Sequence, residues 1–335
     1  MIITKTPFRI SFFGGGTDME EYFRENNGAV LSTTFDKYNY VIVRRLPRFF
    51  DYTNEIVYSK IERIGDNLDE IIHPAVREAM KMLDMKEIRL SYEADLPAKT
   101  GLGTSSSFAV GMLLAFHTLK GEYIDKERLA KEAIYLERVL CDEKGGWQDQ
   151  IAAAYGGLNR IDFQGDTFSV KPLIISPKRK EELNDNLFMI FTGFTRFSSD
   201  IQKINQQTSM QDKKALLDRM YSLVDEAEAI LTDKNKNLDD FGRLLDTTWR
   251  LKSKTGKAVS TDNIDCIYNK GIGAGALGGK LLGAGGGGFM LFYVPRENHE
   301  RFMAGMKDYM CVPFRFENEG TQVIHYRHES WTNHN

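Results

Sequence analysis

The chain has 335 residues, of which 42% are hydrophobic and 27% charged, and its formal net charge is −3. This length allows two domains or one large one, and the balanced charge excludes a general attraction for nucleic acid or acidic membranes. Three widely spaced cysteines without metal-binding spacing, no signal-peptide pattern and no apolar run near the roughly 20 residues that span a bilayer together indicate a cytoplasmic protein without a membrane segment.

In chain order, the first predicted elements are strands around a glycine-rich turn. A loosely alternating strand over residues 2–13 leads into Gly14-Gly15-Gly16-Thr17-Asp18, where Asp18 could contact a substrate or cap a short helix over 19–25. Arg9 lies in the middle of that strand, where a charged side chain is most often on the solvated face. The pattern predicts further strands over 29–34, 38–45, 56–61 and 88–92, and a helix over 69–83.

Residues 95–108 form a loop of glycines and hydroxyl side chains before an apolar helix over 108–119. Gly101 and Gly103 allow a sharp turn and a close approach of the backbone to a ligand, and residues 104–107 fall where a helix N-cap and first turn are expected. The free N–H groups and the dipole at a helix start favour an anion. We therefore predict a phosphate-binding loop, with an ordinary capped turn as the alternative. It is not a Walker A loop, because the Gly-Lys-Ser/Thr ending is absent.

Glu137 lies on the apolar face of a helix that the spacing predicts over 127–141. A buried carboxylate is costly unless it is paired or bound to a cation. One interpretation is a magnesium ligand, since this ion prefers oxygen and is commonly shared with substrate phosphates. The alternative is an ion pair with Arg138 or Arg160.

Asp149 follows Gly145-Gly146-Trp147, a sequence typical of a tight turn that presents the next side chain. A carboxylate there could act as general base toward a hydroxyl. The alternative is that Asp149 caps a helix over 150–154.

The second half is richer in helix and ends in a sheet. The pattern predicts a hairpin around Gly165-Asp166 and a buried strand over 186–192. Helices are predicted over 216–231, 238–253, 263–271 and 297–309, and strands over 279–282, 289–294, 313–317 and 321–326. We place the domain boundary after residue 170, which gives domains over 1–170 and 171–335.

Two further segments of the second half are candidate binding loops. Five of the six residues 283–288 are glycines, a composition that allows a ligand or another loop to come close, with a floppy hairpin turn as the alternative. The neighbouring Lys280 is predicted to be structural or solvated. Arg196 precedes Ser198 and Ser199 at a predicted helix start, which suits a second phosphate, or these serines form a plain N-cap.

The order of three motifs resembles the GHMP small-molecule kinase superfamily, named for galactokinase, homoserine kinase, mevalonate kinase and phosphomevalonate kinase. The motifs are residues 6–18, 97–107 and 282–289, and the resemblance spans essentially the whole chain. Within the superfamily, residues 8–18, 145–150 and 278–289 are similar to bacterial D-glycero-alpha-D-manno-heptose 7-phosphate kinases, and fucose-type kinases share parts of this pattern.

This resemblance implies an α+β fold of two domains, a ribosomal protein S5 domain 2-like N-terminal domain that binds ATP and a ferredoxin-like C-terminal domain. It also implies ATP- and magnesium-dependent phosphorylation of the anomeric C1 hydroxyl of D-glycero-D-manno-heptose 7-phosphate. The product would be the 1,7-bisphosphate, on the route to GDP-heptose for capsule or lipopolysaccharide. The alternatives are a fucose-type kinase acting on an unphosphorylated sugar and a non-catalytic sugar- or nucleotide-binding regulator.

The resemblance assigns roles to individual residues. Ser105 and Glu137 match magnesium ligands, Asp149 matches the base toward the sugar hydroxyl, and Arg9 matches the residue that stabilises the ionised base and the transferring phosphoryl group. The expected contacts of the ATP phosphates are Pro97, Lys99, Gly101, Leu102, Gly103, Thr104, Ser105, Ser106 and Ser107. The expected contacts of the sugar are Gly14, Gly15, Gly16, Thr17, Asp18, Asp149, Arg196, Gly285 and Gly286. The galactokinase pattern has Glu and His at positions 15 and 16, so the two glycines open space for a larger sugar.

Overall fold

Two antiparallel-rich β-sheets, each covered by helices, build the molecule. The computed structural model describes residues 1–98, 100–193, 210–256 and 259–327, with the backbone alone for 210–213. Within these ranges, no helix combines the length and the apolar character needed to cross a bilayer. The α+β architecture predicted from the sequence is confirmed.

The larger sheet has the order β13-β1-β2-β5-β3-β4, with β6 and β12 also pairing with β2, and β7 with β6. Its strands are β1 (Ile2–Phe13), β2 (Gly28–Arg45), β3 (Asn54–Val57), β4 (Ile61–Ile64), β5 (Ile88–Ala94), β6 (Asn159–Gln164), β7 (Thr167–Pro172), β12 (Phe316–Glu317) and β13 (Gln322–Tyr326). The two strands predicted over 29–34 and 38–45 are one strand, because β2 pairs with β1 on both sides of a bulge, from Leu31 to Val43. The single strand predicted over 56–61 is wrong, since it contains the turn of the β3–β4 hairpin.

Helices of the first half cover one face of this sheet. They are α1 (Glu20–Phe23), α2 (Pro74–Met82), α3 (Thr104–Lys120), α4 (Lys126–Tyr135) and α5 (Gln148–Tyr155). The next helix, α6 (Pro177–Asp185), belongs to the second half, and its Leu183 lies in a different hydrophobic core. The α3 helix lies directly on β1, where the backbone carbonyl of Gly111 accepts a 2.9 Å hydrogen bond from Thr4. The helix predicted over 127–141 is continuous only to Tyr135, and a π-helical turn over Leu136–Leu140 follows. Such turns change the direction of side chains within a helix and often occur at functional sites.

The smaller sheet has the order β11-β8-β10-β9. Its strands are β8 (Leu187–Phe191), β9 (Gly278–Leu281), β10 (Phe289–Tyr293) and β11 (Cys311–Val312), and its helices are α7 (Met210–Thr232), α8 (Asp239–Lys252), α9 (Asp262–Gly273) and α10 (His299–Gly305). The helix predicted over 297–309 is shorter, since a 3-10 turn precedes α10 and it ends at Gly305.

The β1 strand joins the two halves of the molecule. Phe12 and Phe13 pack their rings against Phe241 of α8, at centroid distances of 5.3 and 5.0 Å. Phe8, Ile10 and Phe12 belong to this shared hydrophobic core. Because side chains alternate along a strand, Arg9 and Ser11 lie on the opposite face, toward α3 and α5.

Candidate active site

The predicted phosphate loop is the start of α3. The helix begins at Thr104, four residues before the predicted start, and its N-cap is Gly103, whose φ of 74° is left-handed. The hydroxyl residues therefore occupy the first turn, and the expectation of a hydroxyl N-cap is wrong. The N–H groups of a first turn lack intrahelical acceptors, so this end of a 17-residue helix can bind an anion.

Glu137 lies against that first turn. Its carboxylate accepts hydrogen bonds from the Ser105 and Ser106 hydroxyls, both at 2.7 Å, and from the Gln150 side-chain amide. The Glu137 side chain is 1% exposed, in the π-helical turn after α4. The buried Glu137 carboxylate, the buried Ser106 hydroxyl and the hydroxyl of the exposed Ser105 thus form one cluster of oxygen atoms at the helix start. The sequence analysis did not identify Gln150, although its place in the Gly-Gly-Trp-Gln-Asp-Gln segment was a signal.

The ion-pair alternative for Glu137 is wrong among the residues that the structure describes. Arg138 instead donates to the backbone carbonyls of Glu143 at 3.2 Å and Gly146 at 3.1 Å. The Arg160 guanidinium pairs with Asp162, Asp225 and Glu228.

Arg9 and Asp149 form a bidentate ion pair. The Arg9 Nε donates to Asp149 Oδ1 at 2.8 Å and Nη2 donates to Oδ2 at 2.9 Å, while Nη1 donates to the Gly101 carbonyl at 2.6 Å. Arg9 is 4% exposed, so the solvated-face interpretation is wrong. Asp149 lies in the first turn of α5, whose N-cap is Trp147, so the cap interpretation of Asp149 is also wrong.

The pair lies against the phosphate loop. A Cβ added at Gly103 would be 3.4 Å from Asp149 Oδ2 and 3.3 Å from Arg9 Cγ. The start of α3 and the carboxylate of Asp149 are therefore neighbours, as transfer of a phosphoryl group to a hydroxyl requires.

Asp18 lies in the turn after β1. Its Oδ1 accepts a 2.8 Å hydrogen bond from the Gly16 N–H, and its Oδ2 accepts a long one of 3.4 Å from the Gln148 N–H. The cap of α1 is Met19, so the helix-cap interpretation of Asp18 is wrong. Burial raises the pKa of Asp18 above its ordinary value, and the Asp149 carboxylate acts in the same direction.

Other predicted contacts shape the backbone of the cleft. The Thr17 hydroxyl is buried at 2.8 Å from the carbonyl oxygens of both Gly14 and Ala29, which holds the turn closed. Leu102 is a core side chain whose carbonyl accepts from the Arg9 N–H at 3.2 Å. The Ser107 hydroxyl donates to a carbonyl of β1 at 3.0 Å, and Pro97 is exposed.

The glycine run over 283–288 packs against the phosphate loop. A Cβ at Gly283 would overlap the backbone of Gly101, and one at Gly288 would overlap the Thr100 carbonyl. The expectation that another loop comes close is confirmed, and the floppy-turn alternative is wrong. Gly285 and Gly286 contact a different segment, since the Gly286 N–H donates to the Val259 carbonyl at 3.1 Å.

Two lysines line the same region. Lys280 is buried as expected for a structural residue, and its ammonium donates to the Ser11 and Phe12 carbonyls, both at 2.8 Å. Lys252, at the end of α8, was missed because no motif surrounds it. Its ammonium donates to the carbonyls of Leu281, at 3.0 Å, and Gly283. Burial and, to a smaller extent, the charge of Arg9 lower the pKa of Lys252 to about 7, while the Asp18 carboxylate acts in the opposite direction.

Four predicted residues lie outside the part of the chain that the structure describes. They are Lys99, Arg196, Ser198 and Ser199. Of the remaining site residues, the structure brings Arg9, Asp18, Glu137 and Asp149 together around the start of α3.

Comparison with known proteins relates this geometry to a family. Residues 70–157 match the family model described as GHMP kinases N terminal domain. The chain is 32% identical over 340 residues to a D-glycero-alpha-D-manno-heptose 7-phosphate kinase of Campylobacter jejuni, covering 96% of this chain and 98% of that protein. It is 29% identical over 216 residues to a bifunctional fucokinase/GDP-fucose pyrophosphorylase of Arabidopsis thaliana, covering 62% of this chain and 20% of that protein.

A solved structure shares the fold. It is a D-glycero-D-manno-heptose 1-phosphate kinase from Bacteroides thetaiotaomicron, which superimposes with a TM-score of 0.80 at 22% identity. The match covers 98% of this chain and 100% of that chain. The names of the two heptose kinases place the phosphate of the sugar on different carbons, C7 in one and C1 in the other.

Proposed function

This chain belongs to the GHMP kinase family, and we propose that it transfers the γ-phosphoryl group of ATP to the anomeric hydroxyl of D-glycero-D-manno-heptose 7-phosphate. The similarity to a heptose 7-phosphate kinase over nearly the whole of both chains supports this acceptor. The observation that carries the chemistry is the pair of the buried Arg9 and the partly exposed Asp149 against the first turn of α3. The 1,7-bisphosphate product would serve the synthesis of nucleotide-activated heptose for surface polysaccharide.

Asp149 is the proposed general base. It accepts the proton of the sugar hydroxyl as that oxygen bonds to the γ-phosphorus and the bond from phosphorus to the bridging oxygen of ADP breaks. Positioning and neutralisation of charge supply most of the catalysis in such transfers. Arg9 holds the Asp149 carboxylate through both oxygens, which fixes its orientation, and its guanidinium lies beside the loop that faces the phosphates.

The cluster of Ser105 and Glu137 fits a magnesium ion. Mg²⁺ prefers oxygen ligands and is commonly held by one or two carboxylates together with substrate phosphates. Glu137 and the Ser105 hydroxyl, 2.7 Å apart, supply such a pair of oxygens, and no group of three acidic, histidine or cysteine side chains suited to a metal occurs within the described ranges. When bound, the ion would neutralise charge on the phosphates of ATP, while the N–H groups of the first turn bind their oxygens.

The experiment that tests this function measures ADP release with a panel of acceptors. Heptose 7-phosphate should be used with a far higher kcat/KM than free D-mannose or L-fucose, and ³¹P NMR of the product should show a phosphate on C1. The Asp149→Asn variant serves as the control for contaminating kinases. Preference for a free sugar would contradict the proposed acceptor and would favour the fucose-type alternative, which the partial similarity to a fucokinase supports.

Arg196 is proposed to bind the phosphate that the sugar already carries. The sequence predicts a helix start at Ser198 and Ser199, and an arginine beside it suits a phosphate because it can donate two hydrogen bonds at once. Arg196→Ala should raise the KM for heptose 7-phosphate about tenfold or more and leave the KM for ATP nearly unchanged. Equal effects on both substrates would contradict this role.

A further inference from the structure

The surroundings of Gly15 contain two buried polar groups that the proposed mechanism does not use. They are the Ser11 hydroxyl and the Oε1 atom of Gln148, in residues that are 6% and 9% exposed. Neither atom has a hydrogen-bond partner among the residues that the structure describes. Buried polar groups are nearly always paired, so each such atom requires an explanation.

The Ser11 hydroxyl and the side-chain amide of Gln148 flank the same point. A Cβ added at Gly15 would be 3.6 Å from Ser11 Oγ and 3.7 Å from Gln148 Nε2. The Gln148 side chain also lies near the Asp18 carboxylate, where it opposes the rise in pKa that burial causes, and its Oε1 atom remains without a partner among the described residues. The backbone carbonyl of Ser11 accepts a hydrogen bond from the Lys280 ammonium at 2.8 Å. Asp18 and Lys280 are themselves buried, so both residues have buried neighbours.

Their position relative to the proposed base is also defined. Ser11 follows Arg9 by two residues in a regularly paired part of β1, so both side chains lie on one face, on the order of 7 Å apart. Gln148 directly precedes Asp149 at the start of α5. The Ser11–Gln148 pair thus lies one strand step from the Arg9–Asp149 pair, a separation comparable to the width of a pyranose ring.

We infer that Ser11 Oγ and Gln148 Oε1 together bind one ring hydroxyl of the acceptor, other than the hydroxyl that is phosphorylated. This inference rests on the proposed function and adds the element that selects the acceptor. The sugar hydroxyl donates to Gln148 Oε1 and accepts from Ser11 Oγ, so both groups become paired. An analogue that lacks this hydroxyl leaves them unpaired, and sites of this kind reject such analogues strongly.

The test compares heptose 7-phosphate with its 2-deoxy, 3-deoxy and 4-deoxy analogues. The wild-type kcat/KM should fall about 10- to 100-fold for one of the three. Ser11→Ala and Gln148→Met should lose activity on the parent sugar, discriminate little against that analogue, and keep the KM for ATP. Removal of an unpaired buried hydroxyl should not lower the melting temperature of Ser11→Ala, whereas loss of a structural hydroxyl would.

Two further variants provide an independent check and a matched control. Gly15→Ala leaves both side chains intact and places a methyl group at ordinary contact distance from them, so it should fold normally and weaken binding of the parent sugar more than of the critical deoxy analogue. Asn39→Leu is the matched control, because Asn39 is also buried with an unpartnered side-chain amide, among the described residues, but packs near Gly111 instead. This variant should discriminate as the wild type does.

The outcomes separate the inference from the proposed function. If Ser11→Ala and Gln148→Met keep the wild-type discrimination, or the wild type has none, the inference is overturned while the kinase function stands. If the wild type phosphorylates none of these sugars, the proposed function is overturned, and dissociation constants from calorimetry without ATP decide the inference by the same ratios. Absence of any binding of heptose 7-phosphate overturns both.

Discussion

Buried polar groups differ between two parts of the candidate site: the Glu137 carboxylate is paired, and atoms around Gly15 are unpaired among the described residues. We call these parts the proposed phosphate side and the proposed acceptor side. On the phosphate side, the Glu137 carboxylate is fully engaged by the Ser105, Ser106 and Gln150 side chains. On the acceptor side, Ser11 and Gln148 have polar atoms without partners in the described chain. On the proposed phosphate side, hydrogen bonds hold the side chains close to one another before any ligand binds. The acceptor side keeps hydrogen-bonding capacity for the molecule that it must distinguish.

The largest expected effect concerns Asp149, which lies between the two sides. Asp149→Asn should lower kcat about 10²- to 10⁴-fold, because the amide cannot accept the proton from the sugar hydroxyl. The KM values for ATP and sugar should change little. Steady-state kinetics check this, with Asp225→Asn as control, since Asp225 is an exposed carboxylate paired with Arg160. Near-normal turnover would remove Asp149 from the role of base.

Removal of the charge on the phosphate side should have the next largest effect. Glu137→Gln should raise the magnesium concentration for half-maximal activity about 10- to 100-fold, because the amide is a weaker ligand for a hard cation. Activity measured against magnesium at saturating ATP checks this. Glu132→Gln is the control, since Glu132 pairs with His117 and Arg128. An unchanged magnesium requirement would make the cluster purely structural.

The loop before α3 contacts the glycine run over 283–288. Two glycines with similar backbone conformations test how rigid this contact is. Gly101 and Gly121 have nearly equal φ values of 79° and 77°, but an added Cβ would lie 2.8 Å from the Leu282 carbonyl carbon at Gly101 and meets nothing at Gly121. Alanine should cost about 1–2 kcal/mol at Gly121 from its left-handed backbone, and about 2 kcal/mol more at Gly101. Chemical denaturation measures both. Equal costs would show that the loops separate easily.

The smallest expected effect concerns Lys252, whose ammonium donates to the Leu281 and Gly283 carbonyls at the start of the glycine run. The pKa of Lys252 lies at about 7, below the ordinary value for a lysine, so its positive charge is present below that pH and is lost as the pH rises through it. We expect kcat/KM to fall about tenfold between pH 6 and 9, because the cleft then attracts phosphates less. The Lys252→Met variant should lack this decrease of kcat/KM with rising pH.

The control for Lys252 is Lys270→Met, since Lys270 forms an exposed ion pair with Asp308 on another face. That variant should retain the wild-type pH profile. If kcat/KM of Lys252→Met still falls as the pH rises, the titration belongs to another group, such as the substrate phosphates.

Local patterns made much of the fold predictable. The apolar stripes of the α7 and α8 helices and the glycine run before β10 lie where the sequence predicts, and the loop before α3 is shorter than predicted by four residues. The errors have physical causes. A bulge carries β2 through a region that looked like two strands, and a short turn divides residues 56–61 into the β3–β4 hairpin. Neither feature leaves a signal in hydrophobic periodicity.

The sequence by itself determined which residues have unusual local chemistry: glycines where backbones touch, hydroxyls at a helix start and a carboxylate on an apolar face. It also indicated the family, because those residues occur in a fixed order. The family resemblance already linked Arg9 to Asp149, which are 140 residues apart in the chain, and the tertiary structure decided that they form a bidentate pair. Only the tertiary structure showed that Lys252 reaches the glycine run from a helix without any motif. Burial and pairing between distant segments depend on how the two sheets pack, and no local pattern records that.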